Sequence, residues 1–297
     1  MTLHERLAEA RARLVAAGIR PDEAAIDVEL YARTILGWDR ARVLAEQHQP
    51  APPQLEPTFS EWVARRLRRE PSAYITGIRE FWGLELAVTP AVLIPRPETE
   101  FIVEEALGLI AGGLKASGDH GGSAPACHDR PRVADIGTGS GCVAVALAHD
   151  CAACRIVATD ISRDALDVAR ANALRHHVAD RVDFVQTAYL DGVAGPFDLI
   201  AVNPPYVKDG DKPILGAEVR YEPDAALFGG AEGLRDIAGV LNAAVEKLRP
   251  EGWLLMEFGY GQEEHVEGLV ASRPALELVR VRADLQGIPR TAIIRRV

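Results

Sequence analysis

From Arg132 onward the chain repeats one unit, a short apolar run followed by a helical pattern, and this repetition constrains the fold more than any other feature. Val133-Ala134-Asp135-Ile136, Arg155 to Asp160, Val182 to Gln186 and Phe197 to Val202 are the first four runs. Helical patterns over Cys142 to Ala148 and Ser162 to His176 separate the first three, and another over Gly233 to Leu248 precedes a strand at Trp253 to Phe258. Strands joined through helices pair in parallel, which predicts an α/β fold with a mostly parallel sheet and helices on both faces. The tail adds Leu276 to Val281 and Thr291 to Val297 around Gly287-Ile288-Pro289, read as an antiparallel closing pair.

Ligands in such folds sit outside the carboxyl ends of the strands. Three features fall there. The first is the turn Gly137-Thr138-Gly139-Ser140-Gly141, where the absence of Cβ lets the backbone approach a ligand. The second is Asp160, about twenty residues on, in the place from which a carboxylate grips ribose hydroxyls. Spacing of the form G-x-G-x-G suits an amino-acid-bearing adenosine better than a pyrophosphate, so S-adenosylmethionine is the expected cofactor; a dinucleotide remains the alternative on the glycine pattern alone. Asp135 is a candidate for holding the cofactor's amino group or for bonding neighbouring N–H groups, and both readings stay open.

The third feature is Asn203-Pro204-Pro205-Tyr206, where two prolines end the ladder and leave rigid carbonyl acceptors beside a carboxamide and a ring. An amide or exocyclic NH2 is a poor nucleophile because its lone pair is delocalised. If Asn203 and the Pro204 carbonyl accept its two hydrogens while Tyr206 covers a planar face, alignment alone aims the lone pair at an electrophile. A plain strand end with a proline turn is the competing reading of this motif.

The 297 residues exceed a usual single domain, so two domains are expected. Residues 1–73 read as helices only. Thr2 with Glu5 makes a capping box; Leu3, Leu7, Leu14 and Val15 recur at helical spacing; Ile26, Leu30 and Ile35 form the predicted apolar face of a second helix; Phe59, Trp62, Val63 and Leu67 form another stripe. This bundle is expected to recognise the substrate. Residues 74–96 read as a linking β-hairpin with strands at Phe81 to Val88 and Val92 to Ile94 and a turn at Thr89-Pro90. Residues 97–297 form the predicted catalytic domain, and within it Ala111 to Arg130, rich in Gly, Ser and Ala, reads as a mobile loop.

Net charge of −10 opposes binding a polyanion by bulk electrostatics, so no direct nucleic-acid partner is expected. The basic run Arg65-Arg66-Leu67-Arg68-Arg69 reads as the solvated face of a helix. Cys151 and Cys154 have CxxC spacing without a second ligand pair, which favours small residues in a turn over a metal or redox site. With no apolar span and no secretory-type start, the reading is a cytoplasmic protein without membrane contact, and a monomer.

The chain resembles the peptide chain release factor glutamine methyltransferases, the PrmC or HemK family. The resemblance rests on Pro71-Ser72-Ala73-Tyr74-Ile75-Thr76-Gly77, Phe81-Trp82-Gly83-Leu84, Ile94-Pro95-Arg96-Pro97-Glu98-Thr99-Glu100, Asp135 through Gly141, Asn203 through Tyr206, Val219-Arg220-Tyr221-Glu222-Pro223 and Asp284-Leu285. It implies a class I methyltransferase fold behind the helical front end. It also implies methylation of the glutamine amide in the Gly-Gly-Gln segment of class 1 release factors, with S-adenosylmethionine as donor and S-adenosylhomocysteine as product. By position, Gly137, Thr138, Gly139, Ser140, Gly141, Asp160 and Asn203 would line the cofactor, and Asn203, Pro204, Pro205 and Tyr206 would hold the glutamine, with Asn203, Pro204 and Tyr206 catalytic. The Pro-Arg-Pro-Glu stretch itself reads either as a plain helix start or as a segment whose Arg96 and Glu98 help shape the substrate or cofactor mouth. Where the family often has an Asp-Trp pair this chain has Ala188-Tyr189, which leaves Tyr189 as the adenine neighbour. Asn-Pro-Pro-Tyr alone is shared with adenine N6-methyltransferases, so a nucleic-acid methyltransferase, a glutamine methyltransferase of a ribosomal protein, and a non-catalytic cofactor-binding module are the rival readings.

Overall fold

The structure is a computed structural model that describes residues 1–114 and 130–297. Most of the predicted loop at Ala111 to Arg130 therefore lies outside the described residues. The chain divides into two compact units, Met1–Ile78 with Gly216–Tyr221, and Arg79–Leu215 with Glu222–Val297.

The first unit holds α1 (Leu3–Ala16), α2 (Pro21–Leu36), α3 (Arg40–Glu46), α4 (Thr58–Leu67) and α5 (Ser72–Thr76). The capping box at its start forms as read: Thr2 N–H donates to Glu5 at 2.8 Å and Glu5 N–H donates to Thr2 Oγ1 at 3.2 Å. Leu3, Leu14, Tyr31, Phe59 and Val63 fill the centre. α2 is rotated from the predicted face: Ile26 is exposed, Leu30 and Ile35 are half-buried, and Ala24, Asp27, Val28 and Tyr31 point inward.

The cause of that rotation lies in the basic run, which is not a solvated face. Arg66 is only 2% exposed and pairs with Asp27 at 2.7 Å, Glu218 at 3.0 Å and Glu23 at 3.3 Å. Arg65 pairs with Glu70, and Arg69 with Glu218. A buried guanidinium needs carboxylates around it, so Asp27 must face inward and Ile26 is turned out.

The chain enters the second unit within β1 (Ile78–Phe81), at Arg79, and continues through β2 (Leu84–Ala87), α6 (Glu100–Ala111), β3 (Arg132–Ile136), α7 (Cys142–Asp150), β4 (Arg155–Asp160), α8 (Arg163–Arg175) and β5 (Val182–Gln186). β6 (Phe197–Val202), α9 (Asp224–Leu227), α10 (Arg235–Lys247), β7 (Leu248–Glu257), α11 (Glu263–Ala271), β8 (Leu276–Ala283) and β9 (Pro289–Arg296) follow. The hairpin turn is at Trp82-Gly83, not Thr89-Pro90. Both turn residues have positive φ, 55° and 71°, the geometry that matches the twist of a two-residue hairpin. Glu100 accepts the Trp82 N–H at 2.8 Å and so holds a side-chain-bearing residue in that conformation. Val92 to Ile94 forms no strand.

The seven-stranded sheet runs β5-β4-β3-β6-β7-β9-β8, parallel from β5 to β7, with β9 antiparallel to both β7 and β8. The parallel sheet and its antiparallel close are as predicted. Alternate residues of the central strands feed opposite layers. Val133, Leu199 and Leu255 pack with α6 and α7, whereas Ile136, Ile200 and Leu254 pack with α10 and α11. The direction of strand addition reverses between β3 and β6, opening a crevice at their carboxyl ends. Cys151 and Cys154 form a disulfide across the turn from α7 to β4, a local closure that the CxxC spacing alone did not specify.

Candidate active site

Register assembles the site. Ile136 pairs with Thr159 on one side and Val202 on the other, and Val202 pairs with Met256. The residues one step further, Asp160, Gly137, Asn203 and Glu257, therefore stand in a row along the carboxyl edge, on strands about 4.8 Å apart.

Gly137, Gly139 and Gly141 all have left-handed φ, 66°, 55° and 81°. They serve two purposes. A Cβ at Gly137 would meet nothing within 4 Å, so this backbone borders open space, whereas a Cβ at Gly141 would come within 3.0 Å of the Ala169 side chain and push α7 from α8. Asp160 braces the turn: Oδ2 accepts the Gly139 N–H at 3.0 Å and Oδ1 the Ser162 N–H at 2.8 Å. Burial raises its pKa above the ordinary carboxylate range.

Asp135 lies beneath. Its Oδ2 accepts Thr138 Oγ1–H at 2.6 Å and the Ala144 N–H at 3.1 Å, and burial pushes its pKa up to about 7 despite both bonds. Thr138 and Ser140 are buried, so the face they turn outward is backbone. Asn172 of α8, fully buried, ties the turn to the hairpin: Nδ2 donates to Ser140 O at 2.8 Å and Ala87 O at 2.9 Å, while Oδ1 accepts the Ala87 N–H at 2.7 Å. Sequence reading missed Asn172, whose importance comes from partners 32 and 85 residues away.

Asn203 Nδ2 donates to Thr99 Oγ1 at 3.0 Å, and Thr99 Oγ1–H donates to Glu257 Oε2 at 2.7 Å. Tyr206 O–H donates to Glu257 Oε1 at 3.1 Å. Burial raises the pKa of Glu257, the Thr99 and Tyr206 bonds oppose the rise, and the nearby Glu98 charge adds to it. Burial, then the Glu257 charge, also lifts Tyr206 above the usual tyrosine range. Among the described residues no donor meets Asn203 Oδ1 or the Pro204 carbonyl. Two acceptors thus remain uncommitted on the half-buried Asn203 and its neighbour.

The backbone of this turn is clamped from the far side. Gln262 Nε2 donates to Tyr206 O at 3.0 Å while Gln262 Oε1 accepts the Gly259 N–H at 2.8 Å. A Cβ at Gly229 would lie 2.4 Å from Pro205 O, and one at Gly233 would lie 2.2 Å from Tyr206 O. Thr99, Glu257, Gln262, Gly229 and Gly233 were not singled out from the sequence. Thr99 sat inside the quoted Pro-Arg-Pro-Glu-Thr-Glu stretch, which was the available signal.

The remaining predicted residues divide. Arg96 Nη2 pairs with Glu222 Oε1 at 2.5 Å, and Glu222 Oε2 also accepts the Ile94 N–H at 3.1 Å, so this arginine anchors the extended segment. Tyr189 packs its ring on Gly239 of α10, donates its O–H to Asp236 at 2.9 Å and accepts Thr159 Oγ1–H on its carbonyl at 2.7 Å. Ala188 is exposed.

The family described as PrmC N-terminal domain matches residues 5–77, and the family described as methyltransferase small domain matches residues 125–220. A release factor glutamine methyltransferase of Bradyrhizobium diazoefficiens is 38% identical over 97% of this chain and 95% of that protein. One from Nitratidesulfovibrio vulgaris is 39% identical over 99% of this chain and 95% of its own length. The chain belongs to the release factor glutamine methyltransferase family. It is a methyltransferase. Among solved structures, the hMettl16 catalytic domain in complex with MAT2A 3'UTR hairpin 1 superposes with a TM-score of 0.56 at 15% identity, over 80% of each chain. That likeness shows the methyltransferase fold. No helix among the described residues is long and apolar enough to cross a membrane.

Proposed function

We propose that this methyltransferase places a methyl group on the side-chain amide nitrogen of the glutamine in the Gly-Gly-Gln segment of class 1 release factors, with S-adenosylmethionine as donor. The observation that carries the reading is the orientation of Asn203. Its Nδ2 is committed to Thr99, so Oδ1 is the atom left to accept a substrate N–H, beside the uncommitted carbonyl of the buried Pro204. Two fixed acceptors suit an NH2 group with two hydrogens to give.

The residues present fit the donor. The open cradle at Gly137 would take a ligand against backbone, Asp160 stands at the end of β4 where ribose hydroxyls are gripped, and Tyr189, whose ring packs on Gly239 of α10, is the proposed adenine neighbour. Thr138, Ser140 and Gly141 contribute backbone, and Asp135 beneath them is the candidate for holding the amino group. The bound donor supplies an electrophilic methyl already activated by positive charge on sulfur. Asn203 and the Pro204 carbonyl hold the amide hydrogens, which turns the nitrogen lone pair away from both acceptors and toward the Gly137 side of the crevice. Pro204 and Pro205 keep the acceptors rigid, and Tyr206, fastened through its hydroxyl to Glu257, supplies the wall against which a planar amide lies. The excess proton passes to water after transfer, so the chain needs no strong base at this point.

In this reading the helical unit recognises the release factor, with a groove bordered by Leu7, Val15 and Leu44 and floored by the buried Val28. Arg96 and Glu98 border the entrance. Work on release factors would be done in the cytoplasm. Mass spectrometry of a Gly-Gly-Gln-containing release factor incubated with the protein and donor tests the proposal. A gain of one methyl on that glutamine is expected; methylation elsewhere, or none, overturns it.

A further inference from the structure

We infer that Glu257 and Thr99 are positioning residues that set which way round the Asn203 carboxamide sits, and thereby select a substrate that donates hydrogen bonds. The inference rests on the proposed amide substrate and follows from counting protons along the chain of contacts. Glu257 is 1% exposed and receives two hydroxyl groups, Thr99 on Oε2 and Tyr206 on Oε1. In its ionised form, which the Thr99 and Tyr206 hydroxyls favour against the pull of burial, Glu257 only accepts, so the single proton of Thr99 Oγ1 is spent on it. What remains on Thr99 Oγ1 is lone pairs. The group of Asn203 that faces it at 3.0 Å must then be the NH2, and Oδ1 must face the crevice. Polarity is passed from a buried carboxylate, through a hydroxyl, to a carboxamide whose two ends have nearly the same shape.

The same carboxylate fixes the Tyr206 ring, so both edges of the amide seat depend on Glu257. Its position is dictated by sheet register, because Met256 pairs with Val202 and the following residues stand side by side. A carboxamide at position 257 reverses the logic. Its NH2 can donate to Thr99, which is then free to donate to Asn203, and the favoured carboxamide orientation presents NH2 to a substrate that also presents NH2.

The test compares Glu257→Gln, Thr99→Val and Thr99→Ser with the wild-type chain, by steady-state methylation of a release factor and by donor affinity in isothermal titration. Glu257→Gln and Thr99→Val are expected to lower kcat about 100-fold, the scale for one lost preorganised contact, with donor Kd and melting temperature close to wild type. Thr99→Ser, which keeps the hydroxyl, is expected to restore most of kcat. Wild-type kcat in both Glu257→Gln and Thr99→Val overturns the positioning role. Equal loss in Thr99→Ser and Thr99→Val, or a loss tracking lowered melting temperature or donor affinity, also overturns it in favour of a packing role. Failure of the wild-type chain to methylate any release factor glutamine would instead sink the proposed substrate, so the two failures are distinguishable.

Discussion

Replacing Asp135 with asparagine should flatten a pH dependence that the structure builds into the site. Asp135 carries its proton with a pKa of about 7 in the folded chain against 3.8 without the fold, because burial outweighs the Thr138 and Ala144 hydrogen bonds. Between those values the folded state binds the proton and the unfolded state does not, so stability is fully present below the unfolded pKa and is lost as pH rises through the folded one. At about 1.36 kcal/mol per pH unit, a rise from 3.8 to about 7 amounts to roughly 4 kcal/mol of lost stability above neutrality. Asp160 and Glu257 are shifted in the same direction, so the wild-type curve alone does not isolate Asp135. The difference between wild type and Asp135→Asn does. Urea unfolding followed by circular dichroism between about pH 4 and about pH 8 should show the variant gaining on wild type by roughly 4 kcal/mol across the range. Saturating S-adenosylmethionine should shrink that gap if Asp135 holds the donor's amino group, since a nearby ammonium favours the ionised carboxyl. A difference that stays constant with pH would refute the claim that the fold keeps this carboxyl protonated.

Asn203→Ala should lower kcat by about 100-fold or more while donor affinity in isothermal titration stays near wild type, because the lost acceptor serves the substrate amide. Asn172→Ala strands buried backbone groups of Ala87 and Ser140, so we expect a loss of about 3 kcal/mol and a lower melting temperature by calorimetry, with weaker donor binding as the glycine turn loosens. Arg66→Ala leaves Asp27 buried without its cation and should destabilise the helical unit by about 3–5 kcal/mol; a change under 1 kcal/mol in urea titration would show that the pair contributes little. Gly229→Ala cannot be accommodated without moving the Pro205 carbonyl, so it should depress kcat even where the protein remains folded at the assay temperature.

The sequence by itself determined what depends on near neighbours along the chain. Strand–helix alternation predicted the parallel sheet, the antiparallel tail pair closed it, Thr2 and Glu5 capped α1, and the glycine turn and Asn-Pro-Pro-Tyr fell at carboxyl ends of strands, because apolar period, φ freedom and missing N–H groups are properties of a few consecutive residues. The turn of the first hairpin was misplaced since Trp82 gives no local sign of positive φ until Glu100 caps its N–H. Ile26 was assigned to the core because hydropathy cannot anticipate that Arg66, 39 residues from Asp27, would turn an aspartate inward.

Tertiary structure alone decided the polarity of the site. Thr99, Asn203 and Glu257 come from segments 104 and 158 residues apart, and no local pattern marks them as a unit. Their relation exists only once β6 and β7 lie in register and the segment before α6 is brought against them. Whether Asn203 gives or takes a hydrogen bond is then settled by a buried carboxylate two contacts away, a quantity that long-range packing sets and composition does not contain.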